Sequence, residues 1–214
     1  MKSITRKYAL TAFLIVIILI GFVVVARTIR KQVPLSTEQA RQLGPKDAPV
    51  RMIVYSDFQC PACKIALDPL HKLMDEFPNL IQIGFKYYPI ERAHKNALLA
   101  AQFAECAGAQ GKFWAFHDRL FSEQAYWSAE DRAVSIFAGY ARELDLDLTA
   151  LRDCATHPAV IERIRRERTE GAAIGVRSTP TFFIGERMVA GGDQLAAEGS
   201  TIVREELKKF GIDS

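Results

Sequence analysis

Two cysteines separated by two residues, Cys60-Pro61-Ala62-Cys63, are the side chains of this chain best suited to chemistry. A thiolate attacks a disulfide, whereas a thiol does not. Two sulfurs at this spacing can close a small ring and reopen it, so the chemistry they suit is exchange through a mixed disulfide. Their placement strengthens the case. The pair follows the apolar, β-branched stretch VRMIVYS at 50–56, which reads as a buried strand. It precedes Ile65, Leu70 and Leu73, whose spacing predicts a helix beginning just after Cys60 with Pro61 at its first position. At such a helix start, free N–H groups and the dipole stabilise a thiolate. Cys60 is therefore expected to be exposed, of lowered pKa, and joined to the partner during exchange. Cys63, one turn inside, is expected to be buried and to act as the resolving thiol. Half a zinc site is a competing reading, but no second C-x-x-C and no suitably spaced Cys/His pair accompanies it, and neither metal nor cofactor is expected. A purely structural bridge between residues three apart would constrain the unfolded chain little.

A second signal is Ser178-Thr179-Pro180-Thr181-Phe182-Phe183. Proline immediately before an apolar strand cannot extend a sheet ladder, and a cis bond there would make a fixed corner. The elements that must position both motifs follow from the pattern. A strand at 50–56 leads into the helix after Cys60, which Pro69 should kink. LIQIGFKYY at 80–88 is a second strand, and from about 92 to 177 the chain reads as helix throughout. Residues 181–192 look like a hairpin. Asp193 can cap a last helix carrying Ile202, Val203, Leu207 and Phe210 on one side. This order is α/β with a helical block inserted in the middle.

YSDFQCPAC, QGKFWAFHDRLF at 110–121 and GVRSTPTFFIG at 175–185 together resemble the DsbA-like thiol:disulfide oxidoreductases of the thioredoxin superfamily. The resemblance spans roughly residues 46–212. It implies a thioredoxin fold interrupted by an inserted helical domain, working outside the cytoplasm. It implies that Cys60 is the nucleophile and Cys63 its buried partner. It also implies that Pro180 is cis and faces the pair, and that Thr179 offers backbone N–H and C=O to an extended substrate strand. Two features depart from the family. The dipeptide between the cysteines is Pro-Ala, where the strongest oxidases carry Pro-His, and a missing thiolate-stabilising histidine argues against a very oxidising potential. No residue maps securely onto the buried acid that assists proton transfer in some relatives. Asp57 is the nearest candidate, with a turn or capping role as the alternative.

Cys106 and Cys154 fall on apolar faces of expected helices. If Cys60 pairs with Cys63, they are the pairing left. A structural disulfide is expected, with two buried thiols as the alternative. The histidines carry no signal. His71 should lie three helical turns from Cys60 and out of reach, and His94, His117 and His157 look isolated. The charge run IERIRRERTE at 161–170 reads as a solvated helix face.

The 19 uncharged residues from Tyr8 to Ala26 nearly suffice to span a bilayer. They are expected to form a transmembrane signal anchor (8–26) behind a short cytoplasmic tail (1–7), although cleavage after the span remains an alternative. A linker follows at 27–45, with the DsbA-like domain at 46–214. Six cations and no acids precede residue 32, which leaves 22 cations against 25 acids in the remainder. That slightly acidic domain excludes a nucleic-acid role on charge grounds. The expected protein is a single-pass membrane-anchored oxidoreductase on the periplasmic side of a bacterial cell membrane. It introduces disulfides into exported proteins and is re-oxidised by a membrane redox partner, with a quinone-linked one as candidate. The alternatives are a reductase or isomerase kept reduced from the membrane, and a non-catalytic peptide-binding or copper-handling module.

Overall fold

The structure is a computed structural model and describes residues 38–213. The expected tail and transmembrane span lie outside the described residues. Among the described residues, no helix is long and apolar enough to cross a membrane.

Five strands form one mixed sheet in the order β1-β3-β2-β4-β5. They are β1 (Gln42–Leu43), β2 (Val50–Ser56), β3 (Ile81–Tyr87), β4 (Thr181–Ile184) and β5 (Arg187–Ala190). β2 and β3 run parallel, with Val50 opposite Ile81 and Ser56 opposite Tyr87. Parallel neighbours require a crossover, and the helices that carry the cysteine pair provide it. β4 pairs antiparallel with β2, and β5 closes the hairpin at the edge.

The crossover differs from the single kinked helix that the sequence suggests. It is two helices, α1 (Pro61–Ile65) and α2 (Leu67–Glu76), divided at Ala66. Pro69 cannot donate to the carbonyl of Ile65 and its ring crowds that carbonyl, so the break falls just before it. The inserted helices are α3 (Ala97–Ala109), α4 (Phe113–Ser122), α5 (Gln124–Trp127), α6 (Ala133–Glu143), α7 (Leu148–Ala155) and α8 (Pro158–Ala173). α3 is buried over most of its length and packs against α4, α7 and α8. α7 starts where the Asp147 carboxylate accepts from Thr149 N and Ala150 N, a side-chain cap. The last helix, α9 (Gly191–Lys208), packs on α2 and on the hairpin. Asp193 sits in its first turn rather than capping it, because the helix already begins at Gly191. Ile202, Val203 and Leu207 are buried as expected, but Phe210 falls beyond the helix end and is exposed.

The expected linker also ends earlier than residue 45. Gln39–Arg41 form a 3-10 turn and Gln42–Leu43 pair antiparallel with β3. Arg41 is buried, and its guanidinium holds the Glu167 carboxylate of α8 through two bonds, at 2.7 and 2.9 Å. Arg163 reaches the buried Glu105 of α3 at 3.0 Å. The charge run on α8 is therefore not a wholly solvated face: Glu167 turns inward, where it also accepts from Tyr87 N.

Candidate active site

Cys60 is the N-cap residue of α1, in extended conformation, with Pro61 at the first helical position. A cis peptide bond joins Thr179 and Pro180 at the start of β4. The pairing of β4 with β2 sets this corner against the start of α1, and the Thr179 carbonyl accepts the Cys60 thiol at 3.5 Å. Residues 119 apart in sequence thus meet at one sulfur.

The two cysteines are electrostatic opposites. Cys63 hydrogen-bonds to the Cys60 sulfur and is the strongest influence pulling its pKa down; partial burial opposes this. Thr179 and the backbone N–H groups of Cys63 and Ala62 add to the lowering, and the result is about 5. Thr179 acts through two groups. Its carbonyl accepts the S–H while Cys60 holds a proton. Its buried hydroxyl favours the ionised form. Cys63 is pushed well above the ordinary thiol range, first by burial and then by the neighbouring Cys60; the hydroxyl of Ser56 bonds its sulfur and works the other way. Cys60 is not the open residue that the sequence suggests. It is only 8% exposed, with the Thr179 carbonyl against its sulfur.

The loop before Cys60 is held from several sides. The Asp57 carboxylate is buried and accepts from Gln59 N, Ile90 N and His94 Nδ1 at 2.7–2.8 Å. This is the turn-and-clasp role, and the carboxylate makes no bond to either cysteine. The inserted helices supply a second clamp. The buried Gln124 amide donates to the carbonyls of Phe58 and Cys60, at 2.7 and 3.0 Å. Gln59 bridges Asn96 N and Ser128 O. Gln124, Asn96 and His94 carry no sequence signal of this role, because a single amide or imidazole in a helical region has no pattern. Their partners lie 31 to 66 residues away.

The remaining pair, Cys106 of α3 and Cys154 of α7, is joined by a disulfide deep inside the insertion. It is remote in sequence and separate from the exchange pair. Among the described residues no group of three or more His, Cys, Asp or Glu side chains is placed to hold a metal ion.

A family model described as Thioredoxin matches residues 36–203. A Na(+)/H(+) antiporter NhaA 1 of Salinispora arenicola is 34% identical over 171 residues, which cover 79% of this chain and 25% of the antiporter. The NhaA antiporter of Herminiimonas arsenicoxydans is 32% identical over 158 residues, covering 74% and 24%. The chain thus spans about a quarter of the length of these curated relatives. A thioredoxin-like oxidoreductase from Silicibacter pomeroyi superposes with a TM-score of 0.66 at 25% identity, over 78% of this chain and 91% of that one. BdbD from Bacillus subtilis gives 0.70 at 20% identity, over 82% and 97%. Wolbachia pipientis alpha-DsbA1 gives 0.68 at 18%, over 79% and 94%. The chain belongs to the thioredoxin family. Its architecture is the one these solved structures share, a thioredoxin fold with a helical insertion.

Proposed function

We propose that this chain is a thiol:disulfide oxidoreductase that donates disulfides to exported proteins from the outer side of a cell membrane, to which residues 8–26 anchor it. The observation that carries the direction is the Cys60 sulfur, held at a pKa of about 5 without a histidine between the cysteines. A stabilised Cys60 thiolate stabilises the reduced protein relative to its disulfide, and so favours handing the disulfide on. In the donating step a client thiolate attacks the Cys60 sulfur and Cys63 departs. A second client thiolate then attacks the client sulfur of the mixed disulfide, and Cys60 leaves as the thiolate. Thr179, beside the reacting sulfur, presents backbone polar groups to an extended client strand. A membrane redox partner would re-oxidise the pair. The apolar run 8–26 supports the anchor. The antiporter relatives, which carry a matching domain within a transporter, support a membrane-side placement.

The test mixes the oxidised full chain with a reduced, unfolded client. Cys60→Ser is expected to abolish client oxidation, and Cys63→Ser, with its Cys60 first activated as a mixed disulfide with 5-thio-2-nitrobenzoate, to accumulate client mixed disulfides on Cys60 as the thionitrobenzoate leaves. Oxidation that survives Cys60→Ser contradicts the assignment. Protease added outside intact spheroplasts should remove the domain; protection of the domain contradicts the placement.

A further inference from the structure

The buried half of the pair poses a problem of its own. Whichever way electrons flow, the Cys63 sulfur changes between disulfide and free thiol, and it must take up or release a proton where bulk water does not reach it. Cys63 is 2% exposed. The Asp57 carboxylate, the nearest acid in sequence, is occupied by Gln59, Ile90 and His94.

Behind Cys63 lies a cavity of about 110 Å³, between the α1–α2 crossover, the sheet and α4. One water needs roughly 10–15 Å³ of such space, so the cavity has room for several. Its ionisable lining groups are Cys63, His71 of α2, and His117 and Asp118 of α4; Ser56 lines it too. The Ser56 hydroxyl bonds the Cys63 sulfur. His117 Nδ1, on the same lining, lies 2.8 Å from the Asp118 carboxylate. A carboxylate only accepts, so Nδ1 carries the proton and Nε2 is the basic nitrogen of the neutral ring. His117 is enclosed by the rings of Phe58, Phe85, Phe113, Trp114 and Phe121. Asp118, by contrast, has 74% of its side chain in solvent. His71 is also exposed. The cavity is thus lined both by a buried sulfur and by a histidine whose partner stands at the surface.

We propose that His117, through Ser56 and water in this cavity, is the proton donor and acceptor for Cys63, and that Asp118 fixes its tautomer. When a client thiolate attacks Cys60, the Cys60–Cys63 bond breaks and the electron pair stays on the Cys63 sulfur. The proton arrives from the cavity, handed on by His117, whose neutral ring is protonated transiently from solvent. In the reverse step Cys63 loses its proton to neutral His117 as its sulfur forms the bond to Cys60 and the client sulfur leaves as thiolate. Burial lowers the His117 pKa, with Asp118 opposing and His71 reinforcing, so the ring is neutral at neutral pH and ready to accept. His117 acts on Cys63 through intervening groups and is a positioning and proton-relay residue, not one that touches the client.

The proposal rests on the exchange chemistry above but not on its direction. The test reacts the oxidised full chain with dithiothreitol, from pH 5 to 9, for the native protein, His117→Gln and Asp118→Asn. A relay residue changes rates in both directions and leaves the equilibrium in place. His117→Gln is expected to slow exchange at least 10-fold in both directions and to flatten one limb of the pH profile. The equilibrium constant against glutathione should stay within 2-fold, and Asp118→Asn should give a smaller slowing. In native protein, heavy water should slow the step about 2-fold after correction for the dithiothreitol thiolate fraction. Native-like rates in His117→Gln, or an equilibrium shift that tracks the rate loss, overturn the proposal. Should His117→Gln not fold, a native rate insensitive to heavy water overturns it. Absence of any exchange by the native protein would instead contradict the enzymatic assignment itself.

Discussion

Cys60 and Cys63 share a helical turn, yet one is an acid near pH 5 and the other holds its proton beyond the ordinary thiol range. The first has N–H groups and the Cys63 thiol turned towards it; the second has a buried sulfur beside a negative one. Alkylation by iodoacetamide should therefore modify Cys60 with a midpoint near pH 5 and leave Cys63 unmodified up to pH 9 in the folded, reduced protein. A midpoint near 8, or equal labelling of both sulfurs, contradicts the site's electrostatics. The same shift has a defined sign in stability. The folded Cys60 sulfur titrates near 5 and an unfolded cysteine near 9, so the unfolded state binds more protons between those values. Reduced-state stability contributed by Cys60 is complete above about pH 9 and is lost as pH falls through 5. The oxidised protein lacks this contribution, so raising the pH from 5 to 8 should stabilise the reduced form relative to the oxidised one in parallel thermal melts. At this scale the reactive pair was legible because a helix start is written locally, in Pro61 and the strand before it. The covering of Cys60 was not, since it comes from residues 119 positions away.

At the scale of elements, long-range cross-links tie the insertion to the thioredoxin core and to itself. The Cys106–Cys154 bridge joins α3 to α7 across a separation of 48 residues. In the chain-entropy account such a loop stabilises by about 4 kcal/mol. Replacing both with serine should lower urea-unfolding stability by about that amount while client oxidation by Cys60 persists; loss of exchange in a folded variant would show that the bridge takes part in the chemistry. The Arg41–Glu167 pair ties the segment before β1 to α8. Burial works against the Glu167 carboxylate, but the hydrogen bond and charge of Arg41 outweigh it and hold the pKa below the usual carboxylate range. Arg41→Ala leaves that charge buried without its bidentate partner and should cost about 3–5 kcal/mol. Arg41→Met combined with Glu167→Met should recover much of this in the same unfolding assay; if Arg41→Ala costs under about 1 kcal/mol, the pair is not a structural tie. Neither residue announced itself in the sequence. Arg41 sits among polar, tether-like residues, and Glu167 is one of several acids in a charge run. Only the docking of β1 on β3 brings them together. β2 and β3 were legible to within a residue because their apolar, β-branched runs are bounded by turns, β1 was not legible within the expected linker, and the break at Ala66 was only half legible, as a kink at Pro69.

For the whole molecule, the sheet supplies geometry and the insertion supplies restraint. β2 ends at the redox pair, β4 begins at Pro180, and their pairing in one sheet makes the two motifs one site. The inserted helices then reach back through Gln124 and Asn96 to hold the loop from Phe58 to Cys60. The α/β order with a central helical block could be read from hydrophobic spacing alone. The clamp could not, because it depends on how the insertion docks. For the protein to donate disulfides, as proposed, this framework must stabilise the reduced pair relative to its disulfide. The measurement that tests it most directly is the equilibrium of the full chain, in detergent, against reduced and oxidised glutathione. The expected potential is more positive than about −200 mV, between the roughly −120 mV of a strong oxidant and the roughly −270 mV of thioredoxin but nearer the first. A value near about −270 mV would contradict it and make the protein a reductase on the same scaffold.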